Sequence, residues 1–348
     1  MSLTVSIVIP VYNASPYLAD CLNAVRNLDP APAECIIVDD GSTDGSAEIA
    51  EGAGIRVISC DGRCGPGVAR NLGARAASGD ILLFVDADVR VPADAVARIL
   101  ARFDEAPERD AVIGSYDDRP GSANFLSQYR NLLHCYTHQN SNARTCTFWT
   151  GCGAIRARVF REHGGFSEAH ALPYLEDIEL GLRLRQAGRT IWLDKGLCVK
   201  HLKRLGFVDV VKTDLLYRAV PWTALILRYR SMPADLNLRW GQRASVVLAP
   251  AVLMAVLGAL LAVGLGAPGA GIELAGAAAL AAAVLALLNR SFYRFLAQRR
   301  GWGFVLRVFP LHCVYFLCCG LGFAMGMLGY ALGVKAPVEQ RVSSKCDG

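Results

Sequence analysis

The sequence predicts an α/β head, built on a Rossmann-like, mostly parallel sheet with flanking helices and followed by a basic amphipathic collar and C-terminal apolar helices. Three observations carry this. Short β-branched runs alternate with helical spacings over the first hundred residues, the pattern of a parallel sheet with right-handed crossovers. Residues Ala244–Ile272, Leu274–Asn289 and Val308–Val334 contain no Asp, Glu, Lys or Arg. Charge is also partitioned: residues 1–193 hold 18 basic and 24 acidic side chains, residues 194–245 hold 10 and 4, and residues 246–348 hold 8 and 3.

Taken in order, Val5–Pro10 reads as a buried parallel strand. Pro16–Leu28 places Leu18, Cys21, Leu22 and Val25 on one helical face. Glu34–Val38 is the second strand, and Ser42-Thr43-Asp44 is placed to cap a helix running through Glu51. Ile55–Cys60 is the third strand and Val68–Ala77 a helix ending near Gly79. Ile81–Val85 is the fourth strand, and Ala93–Arg102 a helix with Pro92 near its start. Further on, Phe125–Tyr136 reads as a helix, Trp149–Ala154 as a Gly-rich loop, Glu176–Gln186 as a helix stopped by Gly188, and Thr190–Leu193 as a short strand. The expected organisation is a head over 1–205, an interfacial segment over 206–243, about three membrane helices within 244–335 (244–268, 272–289 and 308–334), and a tail over 336–348. The first and third apolar stretches are long enough to cross a bilayer; the Ala-rich middle one is the shortest.

Composition excludes several classes. With 53% hydrophobic residues and a mean hydropathy of +0.31, the chain is neither disordered nor fibrous. The head has no basic stripe with interleaved aromatics, so nucleic acid is not an expected partner. No GxGxxG follows the first strand and no GxxxxGK[ST] occurs, which argues against dinucleotide and P-loop sites. The opening MSLTVSIVIP has no basic n-region and its apolar run stops at Pro10, so no signal peptide is expected and the head should stay in the cytosol. There the twelve cysteines should be reduced. Cys60 and Cys64 are the close pair in the head, but without a second pair nearby they fall short of a zinc motif.

The polar signals cluster at strand ends, where open parallel sheets hold ligands. They are Tyr12-Asn13, Asp39-Asp40, Asp61 and Asp86-Ala87-Asp88. Two carboxylates on alternate positions after a strand suit one hard divalent cation, which in turn neutralises a diphosphate. A lone pair of this kind is better explained by a helix-capping Asp beside a solvated one; its neighbours raise the functional reading. Asp39 or Asp40 can accept from a base N–H or a ribose hydroxyl. Glu176, Asp177 and Glu179 open a helix and complement its dipole, and a carboxylate there can also deprotonate an acceptor hydroxyl.

Together the strings SIVIPVYNASPYLADCL, IIVDDGSTDGS, GVARNLGARAASGDILLFVDAD, GGF and LEDIELGLRLRQAG resemble the family-2 glycosyltransferases of GT-A fold, in the membrane-anchored bacterial form. The resemblance covers roughly residues 3–205, with all five strings in the family's order. It implies inverting transfer from a nucleotide-diphospho-sugar, a UDP- or GDP-sugar, assisted by Mn²⁺ or Mg²⁺. It also implies roles. Pro10, Tyr12 and Asn13 would line the nucleotide, Asp39 and Asp40 would contact base and ribose, and Asp61 and Arg70 would flank the base or diphosphate. Asp86 and Asp88 would form the metal motif, with Asp88 the direct ligand, and His201 would be a third metal or diphosphate ligand unless it simply belongs to the basic collar. Asp177 would be the general base beside Glu176, and Gly151–Gly153 would floor the sugar site.

Processive members carry Q-x-x-R-W before a membrane span, whereas this chain reads Leu236-Asn237-Leu238-Arg239-Trp240. A single transfer to a lipid-linked or membrane-proximal acceptor is therefore favoured over polymer synthesis. A catalytically inactive nucleotide-sugar-binding scaffold is the remaining alternative. The segment AVPWTALILRYR at 219–230 is a basic amphipathic stretch with Trp222 and Tyr229 as interfacial anchors. Arginines precede the first span and lie between the second and third, while the loop near Pro268 has none. That asymmetry predicts a multi-pass protein of the bacterial inner membrane with a cytoplasmic head.

Overall fold

The computed structural model describes residues 3–168, 175–230 and 240–333. Pro173-Tyr174, the Leu236–Arg239 string and the expected tail lie outside them. The described residues fall into two units that divide between Gly206 and Phe207.

The head begins with β1 (Val5–Val11), α1 (Ser15–Arg26), β2 (Glu34–Asp39), α2 (Ser46–Gly52), β3 (Arg56–Ser59), α3 (Pro66–Ala76) and β4 (Ile81–Val85). Strands β3, β2, β1 and β4 lie side by side and parallel, with Val11 opposite Asp39 and Asp39 opposite Ser59. Their carboxyl ends therefore fall on one edge. Strands β1 and β4 and the Ile36–Val38 part of β2 are apolar runs covered on both faces, which is why they read as continuous rather than alternating, whereas β3 at the sheet edge is only partly buried. Helix α3 packs closely on β1: a Cβ on Gly73 would lie 2.4 Å from Val8 Cγ1. Helix α2 begins at Ser46 rather than at the expected cap. The capping residues instead tie down the preceding loop: Ser42 Oγ accepts from Asn13 N, Asp44 Oδ2 from Ser15 N, and Ser46 Oγ from Ala14 N.

The second half of the head completes the sheet with β5 (Val89–Arg90), α4 (Ala95–Glu105), β6 (Ala111–Tyr116), α5 (Phe125–Gln139), β7 (Arg144–Thr145), β8 (Cys152–Arg156), α6 (Ala157–Glu162), α7 (Glu176–Gln186) and β9 (Ile191–His201). The order is β3-β2-β1-β4-β8-β6-β9-β5, with β7 also on β9. Strand β8 is antiparallel to both β4 and β6, so part of the predicted Gly-rich loop is a central strand. The expected strand at Thr190–Leu193 extends to His201, because beyond Leu193 it continues along β6 and then pairs with β5. The core gathers Val8, Val38, Leu82, Ile113 and Ile155 with an aromatic cluster. There Phe84 meets Phe148, Phe160 and Phe166 at centroid distances of 6.3, 5.3 and 5.0 Å. Each such pair adds about 0.5–1.5 kcal/mol beyond area burial.

The second unit contains α8 (Phe207–Lys212), a π-helical segment Thr213–Ala219, α9 (Val220–Tyr229), α10 (Trp240–Gly264), α11 (Pro268–Leu288), α12 (Arg290–Arg300) and α13 (Trp302–Ala331). Helices α10, α11 and α13 are long and apolar enough to cross a membrane. The π segment and α9 pack on α13 through Gly322 and Gly326. A Cβ would lie 2.4 Å from Ala219 Cβ at the first and 2.6 Å from Thr223 Cβ at the second. This is the close approach that a small-xxx-small pair allows between apolar helices. The polar contacts are interhelical as well: Asn289 Nδ2 donates to Ser245 Oγ at 2.8 Å.

Candidate functional site

The parallel strands deliver their terminal residues to one edge. Asn13, at φ +48°, accepts from Thr43 N at 2.8 Å, joining the loop after β1 to the loop after β2. Tyr12 is exposed, and the Arg63 guanidinium lies 4.2 Å from its ring centroid. Gly41 must be glycine twice over: its φ is +76°, and a Cβ would come within 2.8 Å of Gly62 C. That contact brings the 60–65 loop, with exposed Asp61, against the Asp39-Asp40 turn.

Both acids of that turn are buried and bonded to backbone. Asp39 accepts from Ser42 N at 3.2 Å. Asp40 accepts from Cys64 N at 2.6 Å and from Gly65 N at 3.0 and 3.1 Å, just before α3. The Cys64 thiol also donates to Asp40 Oδ1 at 3.1 Å. Burial, the neighbouring Cys60 thiol and this carboxylate push the Cys64 thiol well above the usual range.

Arg70 on α3 organises the centre. It is almost wholly buried; one nitrogen donates to Glu176 Oε1 at 2.6 Å and another to Asp86 Oδ1 at 2.7 Å. Its neighbour Asn71 donates to Phe166 O and accepts from Phe166 N, both at 2.9 Å. Helix α3 thereby links the end of β4 to the start of α7. Glu176 is buried, and its other oxygen accepts from Leu175 N at 3.0 Å. Its first partner is thus Arg70 rather than the helix dipole alone.

Asp86 and Asp88 differ despite lying two residues apart. Burial raises the Asp86 carboxyl; Arg70 opposes this and the nearby Asp88 and Glu176 charges add to it. For Asp88, burial is outweighed by His201 and Lys203, and the carboxyl is held below its usual range. Strand pairing makes this arrangement: Val89 lies opposite His201, and Leu202 N donates to Asp88 O at 2.8 Å. His201 Nε2 then stands 3.7 Å and Lys203 Nζ 4.0 Å from Asp88 Oδ2.

Asp177 begins the first turn of α7 beside Glu176 and accepts from Ile178 N at 2.7 Å. Burial, then the adjacent Glu176 charge, pushes its carboxyl up to about 7, against the pull of Arg70. Gly151 and Gly153 are buried against the chain's own aromatics. A Cβ on Gly151 would lie 2.3 Å from Trp149 Cζ2, and one on Gly153 2.4 Å from Trp149 O. Trp149 in turn meets Tyr116 edge-on at 4.8 Å, and Tyr116 lies 4.8 Å from His201. The side chain over Gly151 is Trp149 and the one over Gly153 is Phe148, neither of which the sequence reading assigned a role; the signal was an aromatic pair just ahead of Gly151 and Gly153.

Pro10 is the penultimate residue of β1 and lies opposite Val38 of β2. The structure thus gathers Arg70, Asp86 and Glu176 into one ion-pair group, with Asp177 adjoining it, and sets Asp88 beside His201. Tyr12, Asn13, Asp39, Asp40 and Asp61 form the loops at the neighbouring strand ends.

A mixed sheet of this order, with paired acids after its fourth strand, defines the GT-A class of fold. Residues 6–164 match the family described as glycosyl transferase family 2, and the head carries a family-2 glycosyltransferase domain. The uncharacterised glycosyltransferase EpsJ of Bacillus subtilis is 38% identical over 208 residues, covering 56% of this chain and 60% of that protein. The undecaprenyl-phosphate 4-deoxy-4-formamido-L-arabinose transferase of Yersinia enterocolitica is 36% identical over 110 residues, covering 29% of this chain and 34% of that protein. Two further curated relatives are spanned over 40% and 33% of their length. Among solved structures, a mannosyltransferase of Pyrobaculum calidifontis, in complex with GDP-Man and Mn²⁺, shares the fold. Its TM-score is 0.58 at 19% identity, over 93% of this chain and 88% of that one.

Proposed function

We propose that this protein is an inverting glycosyltransferase that moves a sugar from a UDP- or GDP-sugar to a lipid-linked or membrane-proximal acceptor. The observation that carries the reading is the pairing of an ionised Asp88 with His201, next to an Asp86 already held by Arg70. The donor set of carboxylates and an imidazole nitrogen fits Mn²⁺ or Mg²⁺. Asp88 and His201 would hold the ion, with Asp86 alongside. When bound, such an ion neutralises the charge that develops on the departing diphosphate.

The chain's own residues do the rest. Tyr12, Asn13, Asp39, Asp40 and Asp61 shape the nucleotide pocket, the two acids mainly by fixing the loop backbone. Arg70 donates to both Asp86 and Glu176 and offsets the repulsion between the two carboxylates. Asp177 stands on a different segment and has a carboxyl near neutrality, the range suited to a general base. It takes the proton from the acceptor hydroxyl as oxygen bonds to the anomeric carbon and the bond to diphosphate breaks. Trp149, whose ring lies over Gly151, walls the sugar side.

The acceptor class is supported by the three apolar helices and by the named substrate of the Yersinia relative. Arg290, Arg294, Arg299 and Arg300 on α12, between the second and third apolar helices, support a cytoplasmic placement of that connection and of the head in a bacterial inner membrane. The division into head, collar and spans near residues 205 and 243 belongs to the same reading.

Titration of UDP and GDP into the detergent-solubilised chain tests it. Mn²⁺ should tighten binding of one of them in the parent protein and leave Asp88→Asn unaffected. Equal affinity with and without metal for both nucleotides would contradict the assignment.

A further inference from the structure

The loop that follows β3 carries a second cluster of ligating groups, apart from Asp86 and Asp88. Cys60 leaves the end of β3, and Cys64 precedes the start of α3. The fold adds a residue that no local spacing could reveal: Asp40, from the end of β2, lies against both thiols. One Asp40 oxygen and the two Sγ atoms all lie within 4.8 Å of one another. The thiols are half-buried and Asp40 is buried.

Two features make this more than a chance meeting of side chains. The Cys64 thiol already donates to Asp40 Oδ1 at 3.1 Å, so a proton lies between the sulfur and the accepting oxygen where a cation could sit. Three backbone contacts, from Cys64 N at 2.6 Å and from Gly65 N at 3.0 and 3.1 Å, fix the carboxylate and the second cysteine relative to each other. Such bonds orient a ligating carboxylate as outer-shell partners do in metal sites. The local charge is acidic, with Asp39, Asp40 and Asp61 around the thiols.

We propose that Asp40, Cys60 and Cys64 form a site for a thiophilic divalent cation of the Zn²⁺ type, separate from the hard-cation pair at Asp86 and Asp88. Soft thiolates select such ions over Mg²⁺ and Mn²⁺. Two sulfurs and one carboxylate oxygen supply three of four tetrahedral positions, and water supplies the fourth. Binding is redox-neutral. Each thiol loses its proton to solvent as its sulfur bonds the metal, two protons leave per ion, and Asp40 stays a carboxylate.

The test is a Co²⁺ titration of the full chain in detergent, read by absorption. Thiolate ligation gives a sulfur-to-cobalt charge-transfer band in the near ultraviolet, which Zn²⁺ should bleach by displacement. Cys60→Ser and Cys64→Ser should each weaken Co²⁺ binding at least about tenfold, the lower end of what losing even an outer-shell partner costs. Asp88→Asn should keep the band. A parent protein without the band, or a band that survives both serine variants, overturns the proposal. The readout requires no donor or transfer, so its failure is distinct from failure of the glycosyltransferase reading.

Discussion

Replacing Arg70 with Met should unbalance the centre of the head. Arg70 and Glu176 meet at 2.6 Å with side chains 5% and 3% exposed, while Asp86, at 2.7 Å, is 31% exposed. The replacement matches the volume but leaves two carboxylates without their cation, one of them sealed from water. Removing one partner of a buried pair costs about 3–5 kcal/mol, mostly the burden of the charge left behind. In a domain of this size 1 kcal/mol shifts Tm by about 2–4 °C, so the expected fall is ~6–20 °C. Thermal unfolding of the detergent-solubilised chain, followed by tryptophan fluorescence, measures it. Glu176→Gln and the double variant close a cycle, in which the double should fall short of the summed singles by about 0.5–3 kcal/mol. The deficit should shrink toward acid pH. Burial already raises the Asp86 carboxyl; a raised folded-state pKa stabilises below the unfolded value, and that benefit is lost as pH climbs through the folded value. A Tm change under about 2 °C, or an additive cycle, would refute the buried-clamp reasoning, since coupled buried groups do not behave that way.

Asp177→Asn should lower turnover ~10²–10⁴-fold with donor affinity kept, as for loss of a general base; if the acceptor is already a phosphate, the loss should be smaller. The parent's turnover should decline as pH drops through about 7 and this limb should vanish in Asp177→Asn, which a pH–rate profile checks. The same shift has a stability sign: ionised Asp177 is disfavoured in the folded state, so above that pH the Asn variant should unfold at a higher temperature than the parent. Gly73→Ala should destabilise the head by about 1–3 kcal/mol through overpacking, because its Cβ would lie 2.4 Å from Val8 Cγ1; an unchanged Tm would show that α3 shifts freely on β1. Topology reporters inserted at Gly266 and Gly301 should fall on opposite sides of the membrane, the second cytoplasmic; both on one side would show that α11 does not cross.

Strands β1, β2 and β4 were legible because each carries a continuous buried apolar run, and the half-exposed β3 because Val57-Ile58 is β-branched; strand-end acids could be read from what followed each run. The later half was not. Cys152–Arg156 is short and glycine-bearing, and only the space between β4 and β6 makes it a strand. Ala111–Tyr116 passed unnoticed because Gly114 and Ser115 interrupt its apolar pattern. At the site, the sequence pointed to Asp88 and His201 separately, but their meeting depends on a pairing 112 residues apart in which Val89 faces His201. Glu176 looked like a helix-dipole residue because Arg70 is remote in sequence. Asp40 read as a base or ribose contact, yet the backbone of Cys64 and Gly65 orients its carboxylate toward the 60–65 loop. Long-range side-chain partners leave no local periodicity, so these relations appear only in the fold.

Sugar transfer itself is the most direct test of the proposed activity. The full chain, supplied with Mn²⁺ or Mg²⁺, a panel of UDP- and GDP-sugars and a bacterial membrane lipid extract, should release the matching nucleoside diphosphate. It should also yield a glycosylated lipid, with both products lost in Asp88→Asn. Nucleoside diphosphate release without a glycosylated lipid would contradict the acceptor class. No release with any donor would contradict the assignment of the head as a working transferase.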